Sequence, residues 1–332
     1  LAAAWVFKGG TCLKKCYFET YRFSEDLDFT ITEEAHFDQA FLIEHFSTIG
    51  DWIQEQTGIE LPADLLRFEI YRNARDKPAG EGKVAYRGPI APRTSDLPRI
   101  KLDLTFDEKL VLPPATRPIA HAYSDLAEAT MQARCYDYPE VFGEKVRALS
   151  ERARPRDLYD VINLFRNGEF TAAAPVIRDV VRQKCGFKGI PFPTLQALNA
   201  FKDELAADWS RMLAHQLPQL PPVDTFWDAL PEFFRWLEGS EERVRMVRYP
   251  LGEGETVIRG PAGGLPIPYR ASSHMEIVRF AAANRLRVTL DYEDERGNRR
   301  TRTIEPYSLR STADDNYILG AINIERNEWR SY

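Results

Sequence analysis

The first thirty residues change from strand-like to helix-like around two adjacent glycines, and this order constrains the fold more than any other feature of the chain. Residues 2–7 are apolar and strand-like, Gly9 and Gly10 follow, and residues 12–21 have the pattern of a short helix. Glycines between a strand and a helix let backbone N–H groups approach a phosphate closely, and the start of the helix adds a favourable dipole. We therefore predict a phosphate-binding turn in a domain that mixes strands and helices.

Two acidic residues one position apart come next, at the start of the strand predicted for residues 27–32. Alternate residues of an extended chain share a face, so Asp26 and Asp28 present their carboxylates together. Two like charges held close are costly unless a cation lies between them. Mg²⁺ takes oxygen ligands and combines a few carboxylates with substrate phosphates. The pair therefore predicts a site for Mg²⁺ or Mn²⁺ beside a bound phosphate.

A third carboxylate lies on the strand predicted for residues 100–106. Its apolar residues alternate, with Leu102 and Leu104 on one face, which leaves Asp103 on the other. A charged residue in the centre of a good strand is either an ordinary solvent-facing side chain or part of a site. Because a glycine turn and an Asp-x-Asp pair precede it, we expect Asp103 to be the third metal ligand.

Strands and helices are mixed in the first part of the chain, whereas the part beyond about residue 136 is mostly helical. A helix predicted for residues 37–57 and short strands predicted at 66–71 and 83–87 complete the first part, which is typical of an α+β fold. Amphipathic helices are predicted beyond it, over residues 138–152, 155–165, 173–184, 195–214 and 224–238.

A stretch rich in Gly and Pro, residues 250–268, has the composition of a connector. A helix is predicted for residues 272–284 after it, and strands are predicted at 286–292, 300–305 and 317–323, with Gly297 and Asn298 as a hairpin turn. We therefore divide the chain into an α+β core, a helical domain, a linker and a small β-rich domain, at residues 1–136, 137–245, 246–271 and 272–332.

Composition excludes several classes of protein. The net charge of −6 argues against a globally basic protein that wraps nucleic acid. No run of about 18 apolar residues is present, so we expect no membrane association. Four cysteines suit a reducing, cytoplasmic compartment. Cys12 and Cys16 lie one helical turn apart, but no His or second Cys pair is close in sequence, so we expect buried thiols and no zinc site.

Four short motifs, which comprise five segments of the chain, resemble in their order the AbiEii/AbiGii-type toxin family, which belongs to the nucleotidyltransferase superfamily with the fold of DNA polymerase β. The family's pattern begins with a Gly-Gly-Ser/Thr turn, an Asp-x-Asp strand and a third Asp, and two helical motifs follow. The matching residues are Lys8-Gly9-Gly10-Thr11, Arg22-x-Ser24-x-Asp26-Leu27-Asp28-Phe29, Lys101-Leu102-Asp103, Glu144-Lys145-Val146-Arg147-Ala148-Leu149-x-x-Arg152 and Arg156-Asp157-Leu158-Tyr159-Asp160. Family members carry a helical segment ahead of the glycine turn that this sequence lacks, so we expect a truncated start.

The resemblance implies a role for each motif. Asp26, Asp28 and Asp103 would hold the metal ion, and Lys145 would neutralise charge that develops on a triphosphate. Asp157, the acid of the fourth motif, would position Lys145 or the nucleotide, or help to activate the acceptor. The residues implied to bind nucleotide are Lys8, Gly9, Gly10, Thr11, Arg22, Ser24, Arg152 and Arg156. Arg22 would pair with a phosphate or pack structurally. The alternative for the charged residues on the two helices, Arg152, Arg156 and Asp160, is a structural Arg–Asp network.

The C-terminal residues resemble a second family, the WYL domain, which is an SH3-like small β-barrel of bacterial regulators and defence systems thought to sense a ligand or nucleic acid. The match covers a predicted helix and the segments 287–292, 302–309 and 316–319. Two residues depart from the motif that names the family, because Asn316 stands in place of Trp and Ile318 in place of Leu.

Together the two resemblances imply a Mg²⁺-dependent nucleotidyltransferase toxin of a toxin–antitoxin or phage-defence system. It would attack the α-phosphate of an NTP with an acceptor hydroxyl, at the 3′ end of a tRNA or on a protein, and release pyrophosphate. A cognate antitoxin is expected, and the WYL-like module would replace or supplement its control. The alternative is a non-catalytic nucleotide-sensing regulatory protein with a ligand-binding WYL module, and a metal-dependent phosphohydrolase is a third option.

Overall fold

A seven-stranded mixed sheet organises the N-terminal part of the chain in the computed structural model. Its strands are β1 (Trp5–Lys8), β2 (Asp26–Ile31), β3 (Arg67–Arg72), β4 (Pro78–Ala85), β5 (Arg99–Thr105), β6 (Ala115–Pro118) and β7 (Gln132–Cys135), in the spatial order β3-β4-β5-β2-β1-β7-β6. Strand β2 runs parallel to β5 and antiparallel to β1. The structure describes residues 1–18, 22–88, 97–120, 131–166, 172–217, 220, 222–239, 255–258, 267–270, 278, 287–293, 297–311 and 317–332.

Alternation along β2 separates an apolar face from a polar one. Leu27 and Phe29 pack against the apolar clusters, and the ring of Phe29 lies 5.2 Å from that of Trp5. Asp26 and Asp28 occupy the alternate positions and so point to the other face. A short helix, α1 (Gly9–Cys12), follows β1 directly and continues as a π-helical turn over Leu13–Tyr17.

Helix α2 (Gln39–Thr57) covers the apolar side of the sheet. The Asp38 carboxylate accepts a hydrogen bond from the backbone N–H of Phe41 at the start of the helix, and Gly58 follows its end at a φ of 73°. Leu42 of this helix is fully buried in the same apolar cluster as the two leucines of β5. Burying one such side chain stabilises the fold by about 1.5–3 kcal/mol.

A bundle of helices packs on the other half of the sheet. Its members are α3 (Tyr138–Arg152), α4 (Pro155–Arg166), α5 (Ala174–Lys188), α6 (Leu195–Asn199), α7 (Lys202–Leu213), α8 (Asp224–Trp227) and α9 (Leu230–Glu238). Phe7 of β1 lies in the same apolar cluster as Phe142 and Trp236, whose rings are 5.9 Å apart. The two parts predicted to meet at residue 136 therefore share one core. Within the described ranges, no helix is long and apolar enough to cross a membrane.

The C-terminal residues form a separate antiparallel sheet. Its strands β10 (Val288–Glu293), β11 (Arg299–Ser311), β12 (Tyr317–Asn323) and β13 (Glu328–Ser331) are adjacent in that order, and Gly297, with φ of 77°, lies in the first turn. Two short antiparallel strands, β8 (Glu255–Ile258) and β9 (Ile267–Arg270), lie in and beside the stretch predicted to be a connector. The helix predicted for residues 272–284 lies outside the described residues apart from Val278.

The α+β fold class with a mixed sheet and a C-terminal β-rich unit is confirmed, and the differences lie in single elements. The helix predicted for residues 12–21 starts earlier, at Gly9, and strands β6 and β7 were not predicted. The single helix predicted for residues 224–238 is two helices, because Pro231 lies in the first turn of α9, where a proline is tolerated, and would disrupt a helix interior. The helix predicted for residues 195–214 is likewise divided, near Phe201.

Candidate active site

Two of the predicted metal ligands face each other across neighbouring parallel strands. Asp28 of β2 is paired in register with Asp103 of β5, so the two side chains project from the same face of the sheet. Asp103 alternates with the buried Leu102 and Leu104 and is itself exposed. Asp26 lies two residues before Asp28 and shares its face. The structure therefore brings the three predicted acids together on one polar face.

The glycine turn lies directly against one of these acids. Gly9 has a φ of +80°, a backbone conformation that residues with a side chain rarely adopt. A Cβ atom on Gly9 would lie 1.9 Å from Oδ2 of Asp28, far inside any possible contact distance. Only glycine fits between the start of α1 and this carboxylate, so the predicted phosphate-binding turn and the predicted metal site are adjacent.

The second glycine makes room for two side chains of the following motif. A Cβ atom on Gly10 would lie 2.7 Å from the hydroxyl oxygen of Ser24 and 3.0 Å from Nη2 of Arg22. Ser24 is half-buried, and its hydroxyl lies beside the start of α1. This position agrees with the predicted contact between Ser24 and a phosphate at the turn.

Thr11 does not have the surroundings expected of a phosphate ligand. Its side chain is buried, and its hydroxyl donates a hydrogen bond of 2.6 Å to the backbone carbonyl of Asp26. Thr11 therefore ties α1 to the first residue of β2, and its role in the structure is to fix the turn relative to the acids.

Lys8 brings a positive charge to the same face. It is paired in register with Asp28 across β1 and β2, and its ammonium lies 3.2 Å from a carboxylate oxygen of Glu108. Burial raises the pKa of Asp28 above its ordinary value, and the charges of Lys8 and Lys145 oppose that rise. Lys8 therefore stabilises the charged form of the acid, with Glu108 as its own partner.

The acids also perturb one another. Partial desolvation by the surrounding protein raises the pKa of Asp103 although the side chain is exposed, and the negative charges of Asp28, Asp26 and Glu81 raise it further. Glu81 of β4 is in register with Asp103 and extends the acidic row by one strand. Carboxylates that raise the pKa of their neighbours form a site where a cation is strongly favoured.

An unpartnered oxygen supports a divalent cation at this face. Oδ1 of Asp26 is buried and has no hydrogen-bond partner. Leaving such an oxygen without a partner is costly, and a bound cation would remove that cost. Among the described residues, the group of three ligand atoms that all lie within 4.8 Å of one another consists of cysteines, so the three acids are spaced more widely. Side-chain rotation would have to bring their oxygens within the roughly 4 Å that the ligands of one Mg²⁺ ion span.

Lys145 is held by Asp160. The Lys145 ammonium lies 2.7 Å from Oδ2 of Asp160, a fully buried carboxylate. Arg22 donates to both oxygens of Asp160, at 2.7 and 2.8 Å, and to the side-chain oxygen of Gln216 at 2.9 Å. Burial acts to raise the pKa of Asp160, but the charges of Arg22 and Lys145 outweigh it and hold that pKa well below its usual range.

This network selects among the roles expected for two residues. Arg22 is only 3% exposed, which favours the structural role, and its side chain positions Asp160. Positioning Lys145 was one of the roles predicted for Asp157, and that role belongs to Asp160 instead.

Asp157 holds a different cation, Arg152. The guanidinium of Arg152 donates from Nε and Nη2 to the two oxygens of Asp157, at 2.7 and 2.9 Å. Asp157 is fully buried, whereas the side chain of Arg152 is 46% exposed. A bidentate pair fixes the plane of the guanidinium and leaves three of its five N–H donors for other acceptors. Arg156, in the first turn of α4, has a buried Nε without a partner, and its contact with nucleotide stays a prediction.

Two polar residues of the site are not predicted by the sequence motifs. Glu81 lies between Gly80 and Gly82 on β4, and only the alternation of that strand could have placed it on the acidic face. Gln216 follows α7, far from Arg22 in sequence, and nothing in the local pattern marks it.

Comparison with known families decides what the chain is. The family model described as the nucleotidyl transferase AbiEii toxin of type IV toxin–antitoxin systems matches residues 1–237, which is more than half of the chain. The chain belongs to this family. The AbiEii match spans the glycine turn, the acids and the helices that carry Lys145 and Asp157. The model of the WYL domain matches residues 273–332, which confirms the second resemblance.

One solved structure adds a similar protein. MenT4, a nucleotidyltransferase toxin from Mycobacterium tuberculosis H37Rv, is similar to this chain with a TM-score of 0.44 and 16% sequence identity, over 71% of this chain and 75% of that chain. No curated protein matches the chain.

As a member of the AbiEii family the chain is an enzyme, a nucleotidyltransferase toxin, and not the non-catalytic regulatory protein considered as the alternative. Nucleotidyltransferases generally use an NTP and a divalent metal ion, and a toxin of a toxin–antitoxin system has a cognate antitoxin. The NTP, the divalent ion and the antitoxin expected from the sequence are therefore properties of this family.

Proposed function

We propose that the chain transfers a nucleoside monophosphate from an NTP to a hydroxyl at the 3′ end of a tRNA, with Mg²⁺ as its metal ion. The observation that carries this proposal is the register pairing of Asp28 with Asp103 directly beside the glycine turn. A phosphate-binding turn that touches an acidic cluster is the arrangement that a triphosphate with a divalent ion requires.

Asp26, Asp28 and Asp103 would hold the ion, since they share one face and Oδ1 of Asp26 lacks a partner. Bound there, Mg²⁺ would neutralise triphosphate oxygens and orient the attacking hydroxyl. The chain's own residues supply the remaining steps of binding, orientation and proton transfer.

The glycine turn and the cations would bind the triphosphate. Backbone N–H groups of Gly9 and Gly10 at the start of α1, together with the hydroxyl of Ser24, would contact phosphate oxygens. Lys145 and Arg152 lie close enough to Asp28 to act on its pKa, so both charges reach the acidic face. Held by Asp160 and Asp157, they would be fixed before substrate arrives, which reduces the reorganisation needed during the reaction.

In the transfer step, the acceptor oxygen forms a bond to the α-phosphorus while the bond from that phosphorus to the pyrophosphate oxygen breaks. The proton of the acceptor hydroxyl passes to a carboxylate oxygen of Asp103. Asp103 is exposed on the polar face, where an acceptor hydroxyl can approach its carboxylate. Pyrophosphate leaves with the charges of Lys145 and Arg152 beside it.

The choice of acceptor rests on the resemblance of the motifs to the toxin family, and a protein hydroxyl is the other acceptor used in the superfamily. Arg22, which precedes β2, binds Asp160 of α4, so the site draws residues from both the sheet and the helices. We further propose that the WYL domain supplements control by the antitoxin.

The test is incubation of the full chain with Mg²⁺, total tRNA and each NTP labelled at the α-phosphate. We expect label in RNA, and we expect Asp28→Asn to reduce its incorporation by at least about 100-fold. Asp51→Asn is the matched control, because Asp51 is an exposed acid on α2. Label in protein would contradict the tRNA acceptor, and label found only in free nucleotide would contradict transfer altogether.

A further inference from the structure

Three cysteines from separate parts of the chain meet in the interior. Cys12 ends α1, Cys16 lies in the π-helical turn after it, and Cys135 ends β7. Their Sγ atoms all lie within 4.8 Å of one another, all three side chains are at most 5% exposed, and all are free thiols. The sequence predicts buried thiols without a zinc site because no further ligand is close in sequence. Cys135 is that further ligand, since β7 pairs with β1 next to α1.

We propose that Cys12, Cys16 and Cys135 form a binding site for a thiophilic divalent metal ion such as Zn²⁺, apart from the acids of the active site. Thiolates are the soft ligands that select such ions over Mg²⁺. Sulfur atoms that share a zinc ion at the usual bond length of about 2.3 Å are about 3.8 Å apart. The cluster is already close to that spacing, so small side-chain rotations suffice to close it around an ion.

The surroundings of the cluster balance the charge of a divalent ion. Arg117 donates a hydrogen bond of 2.9 Å to the backbone carbonyl of Cys16, and its guanidinium lies 4.5 Å from the centre of the Tyr17 ring. Three thiolates, one divalent ion and this guanidinium sum to zero net charge.

Tyr17 completes the inner surface of the cluster. Its hydroxyl lies 4.0 Å from Sγ of Cys135 and donates a hydrogen bond of 2.6 Å to the backbone carbonyl of Tyr136. Its hydroxyl therefore lines the cluster on the side of Cys135.

An ion in this cluster would fasten the glycine turn. Gly9 and Gly10 begin the short helix that ends at Cys12, and Cys135 belongs to the strand beside β1. An ion held by Cys12 and Cys135 would tie the end of α1 to the end of β7 and restrict the movement of α1 relative to the sheet. The ion would thus be structural and would hold the turn at its position against Asp28.

The first test uses the wild-type chain. After purification with a reductant and without chelator, its zinc content is measured by mass spectrometry, and chelator-treated protein is titrated with Zn²⁺. We expect one equivalent of zinc per chain, and X-ray absorption should show sulfur ligands at about 2.3 Å. At roughly 100 times Kd, Zn²⁺ should raise Tm by about 5 °C. Zinc below a tenth of an equivalent, or a shell of only nitrogen and oxygen, would overturn the proposal.

The second test assigns the ligands. Cys12→Ser and Cys135→Ser should each lose the zinc and the rise in Tm, whereas Cys185→Ser should keep both. Cys185 is the matched control because it is also a buried free thiol, at 2% exposure, and lies outside the cluster. Equal loss in all three variants, or no loss in the first two, would overturn the assignment. Metal content and Tm are the readouts, so the outcome does not depend on transferase activity.

Discussion

Replacing Gly9 with alanine tests the close approach of the glycine turn to Asp28. A residue with a side chain at a φ of +80° costs roughly 1–2 kcal/mol. The new Cβ atom would lie 1.9 Å from Oδ2 of Asp28, so the carboxylate or the turn must move by about 1 Å before the contact is tolerable. A displacement of that size at a reacting site reduces rate by on the order of 100-fold. We therefore expect Gly9→Ala to lose roughly 1–2 kcal/mol of stability and on the order of 100-fold in transfer rate.

Gly186→Ala is the matched control. It lies inside α5, its φ is not positive, and a Cβ atom there meets nothing within 4 Å, so alanine should stabilise the helix by about 1 kcal/mol. The assays are urea unfolding and transfer of an α-labelled nucleotide, at a temperature where both variants are folded. A Gly9→Ala chain with wild-type stability and rate would refute the contact, and equal losses in the control would show that the effect is not specific to the turn.

The remaining predictions concern the acids. Asp28→Asn should abolish transfer yet raise the Tm of the metal-free chain at neutral pH. Burial raises the pKa of Asp28 in the fold, so its ionised form is destabilising above that pKa, and the gain in Tm should shrink as the pH falls through it. A lower Tm would contradict this. Asp160→Asn should cost about 3–5 kcal/mol in urea unfolding, because it removes the buried partner of Lys145. The pKa of Asp160 is lowered in the fold. The stability that Asp160 contributes is therefore fully present above the ordinary carboxyl pKa, and it should be lost as the pH falls towards the lowered value. A difference in unfolding free energy between the wild type and Asp160→Asn that stays constant across acid pH would contradict this. Asp157→Asn should release Arg152 and raise KM for the NTP more than it lowers kcat, and an unchanged KM would assign the pair to stability alone.

Local patterns predict the central strands and long helices of this fold because burial repeats along them. The alternation in β2 and β5 and the helical spacing of α2 and α3 follow from which side faces the core. Strands β6 and β7 are four residues long and depend on neighbours far away in sequence, so no local pattern marks them.

The glycine turn and the Asp26 and Asp28 pair could be predicted because their spacing places them on one turn and one strand face, and the alternation of β5 puts Asp103 on its polar face. The partners that hold the cations could not, since they come from distant segments. Arg22 meets Asp160 across 138 positions of the chain, and Gln216 joins them from the turn after α7. The cysteine cluster escapes prediction for the same reason, because Cys135 reaches Cys12 only through the pairing of β7 with β1.

The most direct test of the central claim follows two labels of one NTP, at the α-phosphate and at the γ-phosphate, in reactions of the full chain with Mg²⁺ and tRNA. If Asp28 and Asp103 serve nucleotidyl transfer, the α label enters the RNA while the γ label leaves as pyrophosphate, and both changes disappear in Asp103→Asn. Transfer of the γ label to the acceptor, or release of inorganic phosphate with the α label still in free nucleotide, would contradict the account.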